Sequence, residues 1–388
     1  MLDLTLIPAS GATLPEVRHN LHWIDGEQAP SRARPGTSTA TAEVPGRARD
    51  GVAGWSERSS PSHGMVVSRS VLGTVEDAEA AIAAARRAFD DGRWSQLSAK
   101  ARAAILLKVA DLIEANVERM ALLETLESGK PITQARGEVS GAADLWRFAA
   151  SLARTLQGDS HNALGTDILA VVLKEPIGVV SIITPWNFPF WILSQKLPFA
   201  LAAGCTCVVK PSELTPSTTV MLGELLAEAG LPAGTVNIVL GLGQPVGATL
   251  ASDPRVDMVT FTGSTAVGKG IAAAASGTLK KVALELGGKN PQVIFPDADL
   301  EDAADAVVFG VYFNVGQCCN SGSRIIVHED IAQAFTSRVV ELSRQVAFGD
   351  PLDPATQVGA IVSPEHGAKI DAYVAAARKA GATIALGG

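Results

Sequence analysis

The sequence predicts an α/β protein built on a doubly wound parallel sheet. Two observations carry this. From Gly178 onward, short β-branched runs alternate with helical stretches, the pattern of a parallel sheet covered on both faces. Each run is followed by an unusual loop, and such sheets bind ligands beyond the carboxyl ends of their strands.

The elements follow in order. Residues 1–65 read as an irregular N-terminal segment. Within it, residues 29–58 are rich in Arg, Gly, Ser, Thr, Pro and Ala, with only Val44, Val52 and Trp55 as large apolar side chains. So little apolar surface does not offset the entropy of ordering the backbone, and a loop or disordered segment is expected. Order resumes near Val66. Thr74 is placed as an N-cap with Asp77 three residues on, and Ala78, Ala81, Ile82, Ala85 and Phe89 continue at helical spacing. Further helices are expected over 101–117 and up to Leu126, stopped by Gly129 and Pro131. Strands are expected at 179–183, 208–209, 236–240 and 258–261, with helices near 193–201, 220–229 and 246–251. A second region begins near Lys289, with strands at 292–295 and 325–327 and helices at 300–311, 331–346 and 368–380. Residues 383–386 are strand-like. No internal repeat is present.

Composition bounds the function. The 388 residues suffice for two or more domains. A net charge of −8 argues against a nucleic-acid partner, which calls for a basic face. Two of the four cysteines are adjacent, which argues against a disulfide framework and for a reducing compartment. Cys205-Thr206-Cys207 sits in an apolar run without partner histidines and reads as buried strand; no metal is expected. The start, Met1-Leu2-Asp3-Leu4, lacks the charge of a secretory leader, and the longest apolar run, 199–209, is too short for a bilayer. A cytoplasmic protein without a membrane partner is expected.

The loops carry the chemistry. Gly263 to Gly268 follows a strand and precedes a helix, placing backbone N–H groups and the Ser264 hydroxyl where a pyrophosphate is held. The glycines of 241–247 fall one residue off the dinucleotide fingerprint, and a structural turn explains them equally well. Lys210 and Glu213 form either a solvated surface pair or ligands to an adenosine ribose; a carboxylate there repels a 2′-phosphate and favours NAD over NADP. Asn187, between Trp186 and Phe188, either caps a turn or donates to a developing oxyanion. Glu285 follows the apolar Val282-Ala283-Leu284 and is expected to be partly buried, as a general base or in a salt bridge with Lys289. Cys318 and Cys319 stand among Gly, Asn and Ser, a tight turn rather than a core. Either is a candidate nucleophile, and spacing does not choose between them.

Five ordered blocks resemble the aldehyde dehydrogenase superfamily. They are Pro185-Trp186-Asn187-Phe188-Pro189, Lys210-Pro211-Ser212-Glu213, the 261–268 glycine loop, Glu285-Leu286-Gly287-Gly288-Lys289 and Gly316-Gln317-Cys318-Cys319. The resemblance covers roughly Val66 to the end. It implies a Rossmann-like cofactor domain over 66–157 and 177–287, an oligomerisation β-arm over 158–176, and an α/β catalytic domain over 288–388. It also implies a nucleophile at Cys319, a general base at Glu285, an oxyanion amide at Asn187 and a supporting Lys196. The implied cofactor set is Ile183, Trp186, Lys210, Ser212, Glu213, Gly243, Gly263, Ser264, Val267 and Leu286, for NAD with NADP possible. Phe188, Trp191, Ile192 and Gln195 would line the aldehyde pocket; its three apolar side chains point to an aliphatic or aromatic aldehyde, and relatives acting on betaine aldehyde tend to carry tyrosine and tryptophan where Phe188 and Gln195 stand, which points away from that substrate. The implied reaction ends in transfer of the acyl group to water, because relatives that transfer it to coenzyme A tend to lack the glutamate. A homodimer or homotetramer is implied, with the arm a sticky edge if unpaired.

Two departures stand out. The family continues by about another quarter of its length, through an E-x-F-G-P block absent before Gly388, so a C-terminally truncated chain and an incomplete pocket are expected. The 29–58 stretch looks foreign to the family, and a cloning, gene-model or frameshift origin is expected for it. A reading from another class is a non-catalytic nucleotide-binding or assembly protein.

Overall fold

The computed structural model describes residues 16–32 and 54–387; the expectation for the rest of the 29–58 stretch lies outside the described residues. The described residues open with β1 (Arg18–Asn20), β2 (His22–Ile24) and β3 (Glu27–Ala29), and resume with β4 (Trp55–Ser59) and β5 (Val66–Val71). The irregular N-terminal segment is thereby corrected where it is described. These strands are short, and their order comes from partners distant in sequence. Asp77, for instance, accepts hydrogen bonds from Ser31 Oγ at 2.7 Å and Arg32 N–H at 2.8 Å, fixing the chain after β3.

The first helix, α1 (Val75–Asp90), starts at the expected capping box: Thr74 Oγ1 accepts from Asp77 N–H, and the Asp77 carboxylate accepts from Thr74 N–H. Next come α2 (Ala99–Ala115), α3 (Val117–Ser128) and α4 (Ile132–Ala153). Gly129 ends α3 in the left-handed region, φ +83°, and a Cβ there would lie 2.5 Å from the Ala360 carbonyl oxygen. Pro131 does more than stop a helix: it is the N-cap of α4, whose Ile132, Ala135, Val139, Ala142, Trp146 and Ala149 are buried at helical spacing. The arm is an antiparallel hairpin of β6 (Asp159–His161) and β7 (Ala170–Val172).

The sheet region runs β8 (Val179–Ile183), α5 (Pro189–Ser194), α6 (Leu197–Ala203), β9 (Thr206–Lys210) and α7 (Ser217–Ala229). It continues with β10 (Val236–Ile238), a π-helical turn at Gly243–Gly247, α8 (Ala248–Ser252), β11 (Met258–Gly263), α9 (Thr265–Ser276) and β12 (Lys281–Leu286). The single helix expected at 193–201 is two helices, broken at Gln195-Lys196. The sheet order is β12-β11-β8-β9-β10-β2-β3, parallel from β12 to β10, with β2 and β3 added antiparallel. Alternate residues face opposite layers. Val180 and Ile182 pack with the core of α2, α4 and α7, while Val179 and Ile183 pack with that of α1 and α8. Strand order reverses at β8, which lies between β9 and β11, so the ligand crevice belongs at the carboxyl ends of these three strands.

The second region holds β13 (Pro291–Ile294), α10 (Leu300–Tyr312), a 3-10 turn at Phe313–Gly316, β14 (Arg324–Val327), α11 (Glu329–Ser343) and α12 (Pro364–Lys379). Ile294, Ala304, Val307 and Phe335 form its core, and β13 pairs parallel with β14. Residues 383–386 are not a strand. Among the described residues no helix is long and apolar enough to cross a membrane, and no group of three or more His, Cys, Asp or Glu residues could hold a metal.

Candidate active site

The cysteine loop is built from an unusual backbone. Asn314, Val315 and Gly316 take successive positive φ values of +51°, +60° and +71°. Such a conformation costs a β-branched residue about 1–3 kcal/mol and persists only where the surroundings enforce it. Here Gln317 N–H donates to Asn314 O at 2.9 Å, and Gln317 Oε1 accepts from Val362 N–H at 3.0 Å. The turn presents Cys319 to solvent. Cys318 is half-buried, its Sγ donating to Asn320 Oδ1 at 2.9 Å, and burial pushes its thiol up. Burial likewise raises Cys205 and Cys207, which lie in the core as the sequence suggested.

Both loop cysteines line a cavity of about 790 Å³. Phe188, Trp191, Ile192 and Gln195 line it too, together with Gln134, Glu138, Asp305, Phe309, Tyr312 and Phe313. The expectation of an apolar pocket is therefore incomplete, since Asp305 adds an exposed carboxylate, while the Glu138 carboxylate is paired with Lys130. Phe188 and Phe313 stack with centroids 5.9 Å apart.

Asn187 joins its loop to the cysteine loop. Its Nδ2 donates to Gln317 O at 2.8 Å, and its own carbonyl accepts from Asn314 Nδ2 at 2.8 Å. The amide carries two N–H bonds, so one remains available to a ligand. No sequence motif points to Gln134, Glu138 or Asn314. The apolar periodicity of α4 was the signal for the first two.

Glu285 and Lys196 sit elsewhere, Glu285 on β12 and Lys196 at the start of α6. Glu285 is exposed near the end of the edge strand β12, beside Thr262 of β11, so its expected burial is corrected. Val282 is exposed and Ala283 and Leu284 are only half-buried, so an apolar run on an edge strand does not bury the residue after it. The Lys289 ammonium donates to Gly288 O rather than pairing with Glu285. Lys196 Nζ donates to Thr260 Oγ1 at 2.9 Å; burial lowers its pKa, and the Glu285 carboxylate opposes the shift. Neither residue lines the cysteine cavity.

The cofactor-set residues cluster at the predicted sheet edge. Ile183 ends β8, Lys210 ends β9 and Gly263 ends β11. Ser264 caps α9, accepting from Val267 N–H at 3.4 Å, and Ser264 and Val267 are exposed. Gly243 is exposed with open space where a Cβ would stand, and Leu286 packs at Gly268. Lys210 is buried, not a solvated surface residue. Its Nζ lies 3.8 Å from Glu213 and donates to Pro211 O, and burial lowers its pKa against the pull of Glu213. Ser212 Oγ accepts from Leu214 N–H at 3.2 Å. Trp186 meets His366 edge-on at 5.0 Å between ring centroids.

The aldehyde dehydrogenase family model matches residues 51–388. Betaine aldehyde dehydrogenase of Bacillus subtilis is 44% identical over 313 residues, covering 81% of this chain and 64% of that protein. Aminoacetaldehyde dehydrogenase of Pseudomonas aeruginosa is 40% identical over 368 residues, covering 92% and 74%. Among solved structures, an NAD-dependent aldehyde dehydrogenase from Sinorhizobium meliloti superposes with a TM-score of 0.88 at 48% identity, over 95% of this chain and 70% of that one. Betaine aldehyde dehydrogenase of Staphylococcus aureus, in complex with NAD+, gives 0.88 at 38% identity, over 95% and 69%. The chain thus spans just under two thirds of the first of these curated relatives, at 64%.

Proposed function

The chain belongs to the aldehyde dehydrogenase family, and on that premise we propose that it oxidises an aldehyde to a carboxylic acid with NAD, through a thioester on Cys319. The observation that carries this reading is the exposed Cys319 on a large cavity, its loop hydrogen-bonded to Asn187.

The sheet edge fits NAD. Open backbone at Gly243, the capped start of α9 at Ser264, and the buried Lys210 beside Glu213 supply room, N–H donors and a ribose-binding pair. Ile183, Trp186, Ser212, Gly263, Val267 and Leu286 complete the walls. Glu213 favours NAD over NADP by repelling a 2′-phosphate. When bound, NAD supplies the hydride acceptor.

The chain's own residues do the rest. The Cys319 thiolate adds to the aldehyde carbon, forming a C–S bond as the carbonyl π pair moves to oxygen. The free N–H of Asn187 and the Cys319 backbone N–H stabilise that oxyanion. Its collapse releases hydride from the same carbon and leaves a thioester. Glu285 then takes a proton from water as the water adds, the C–S bond breaks, and the thiolate returns with the acid released. Lys196 offsets the Glu285 charge. Cys318 is the weaker nucleophile because burial raises its thiol.

Asp305, with the aromatic lining, suits an aldehyde carrying an amino or quaternary ammonium group. This sets aside the neutral aldehyde favoured by the apolar side chains alone. The sheet region with α1 to α9 is assigned to the cofactor and now includes β2 and β3; the 158–176 arm is assigned to a homodimer or homotetramer, and 288–388 to catalysis. The four free thiols fit the cytoplasm. Nothing in the site favours a non-catalytic nucleotide-binding protein. The test is NADH formation from NAD with an aldehyde panel. Amine-bearing aldehydes should give the highest kcat/KM; turnover of neutral aldehydes alone would remove the substrate assignment, and no turnover of any would remove the dehydrogenase reading.

A further inference from the structure

A buried network from α3 and α4 closes a ring around the Asn187 loop. At one end, Glu124 Oε1 accepts from the Phe190 N–H at 2.8 Å and from Thr218 Oγ1 at 3.3 Å. Glu124 Oε2 lies 3.7 Å from Lys130 Nζ, and Lys130 also pairs with Glu138. Lys130 is fully buried, with its ammonium 4.8 Å from the centre of the Phe188 ring. Glu138 Oε1 accepts from Gln134 Nε2 at 2.6 Å, and Gln134 Oε1 accepts from Asn314 N–H at 3.1 Å. Asn314 then donates to the Asn187 carbonyl, closing the ring.

We propose that Glu124, Lys130, Glu138 and Gln134 are positioning residues that grip both ends of the 187–190 segment and so aim the Asn187 amide at the cysteine loop. A core that needed only filling would use apolar side chains here, because burying a lysine with two carboxylates gains little stability over them. What the polar ring adds is geometry. Each link is directional, and it joins the Asn187 loop to the strained Asn314–Gly316 turn. The four residues act through Asn187, and this role rests on the dehydrogenase reading above.

Gln134→Leu is the test, because Gln134 is half-exposed and the change leaves the ion pairs of Lys130 in place. Two readouts are taken on the full chain. Hydrogen exchange at Phe190 and Asn314, with thermal stability alongside, reads the grip without catalysis. Kinetics of Gln134→Leu, Asn187→Ala and the double variant read the route. The expected result is faster exchange at both amides with a thermal midpoint lowered by only about a few degrees, a kcat loss of about tenfold with NAD affinity unchanged, and less than about twofold further loss in the Asn187→Ala background. Acceleration confined to Asn314 would overturn the ring, and an equal loss in both backgrounds would overturn the route through Asn187. If the unaltered chain turns over no aldehyde, the dehydrogenase reading falls, while the exchange arm still decides the grip.

Discussion

Replacing Glu124 by Gln should flatten the decline of stability with rising pH. Glu124 is fully buried on α3. Burial pushes its carboxyl up to about 7; Glu138 adds to the shift, while Lys130 and the hydrogen bonds from Phe190 and Thr218 oppose it. The unperturbed value is 4.5. The folded state therefore holds this proton more tightly than the unfolded state does. Its contribution to stability is fully present below the unfolded value of 4.5 and is lost as pH rises through about 7. A tenfold change in proton affinity is worth ~1.4 kcal/mol, so the loss across this window is on the order of 3 kcal/mol. Glutamine keeps an oxygen for Phe190 but has no proton to lose. Urea midpoints of both proteins between pH 5 and pH 8 give the difference in stability at each pH. That difference should shift in favour of the variant by most of the expected amount as pH rises. Parallel curves would refute the reasoning, because Glu127, also raised by burial, titrates in both proteins and cancels.

Three further predictions rest on separate features. Asn187→Ala should lower kcat by about 10²–10³, the usual cost of one oxyanion donor, with NAD affinity unchanged; steady-state kinetics and an NAD titration check both. Glu213→Gln should raise the ratio of NADP to NAD kcat/KM by about tenfold or more, by removing a carboxylate from the ribose site; an unchanged ratio would move the adenosine pocket elsewhere. Gly129→Ala should cost more than the ~1–2 kcal/mol of a left-handed alanine, because its methyl would also meet the Ala360 carbonyl; thermal unfolding measures this.

Local signals were legible where one stretch of chain decides the outcome. The Thr74 and Asp77 cap needs only four consecutive residues. The strand Val179–Ile183 declared itself because it is central and buried on both faces. The loops after β8, β9 and β11 fell at the predicted edge, because strand order alone fixes where they gather. Elements that depend on distant partners were not legible. The strands β1 to β4 are three to five residues long and owe their order to β5, β10 and Asp77. The helix α4 is masked in the sequence by Pro131, which reads as a terminator although the buried residues that follow recur at helical spacing. Glu285 follows an apolar run, but that run lies on an edge strand. The Lys130 network could not be seen in the sequence, since its members lie on two helices, a turn and two loops.

Mass spectrometry of the acid-quenched enzyme, after mixing with NAD and a reactive aldehyde, tests the covalent role of Cys319 most directly. The acyl adduct should appear on the peptide holding Cys318 and Cys319, persist in Cys318→Ala and vanish in Cys319→Ala. An adduct that survives in Cys319→Ala, or is lost in Cys318→Ala alone, would contradict the account.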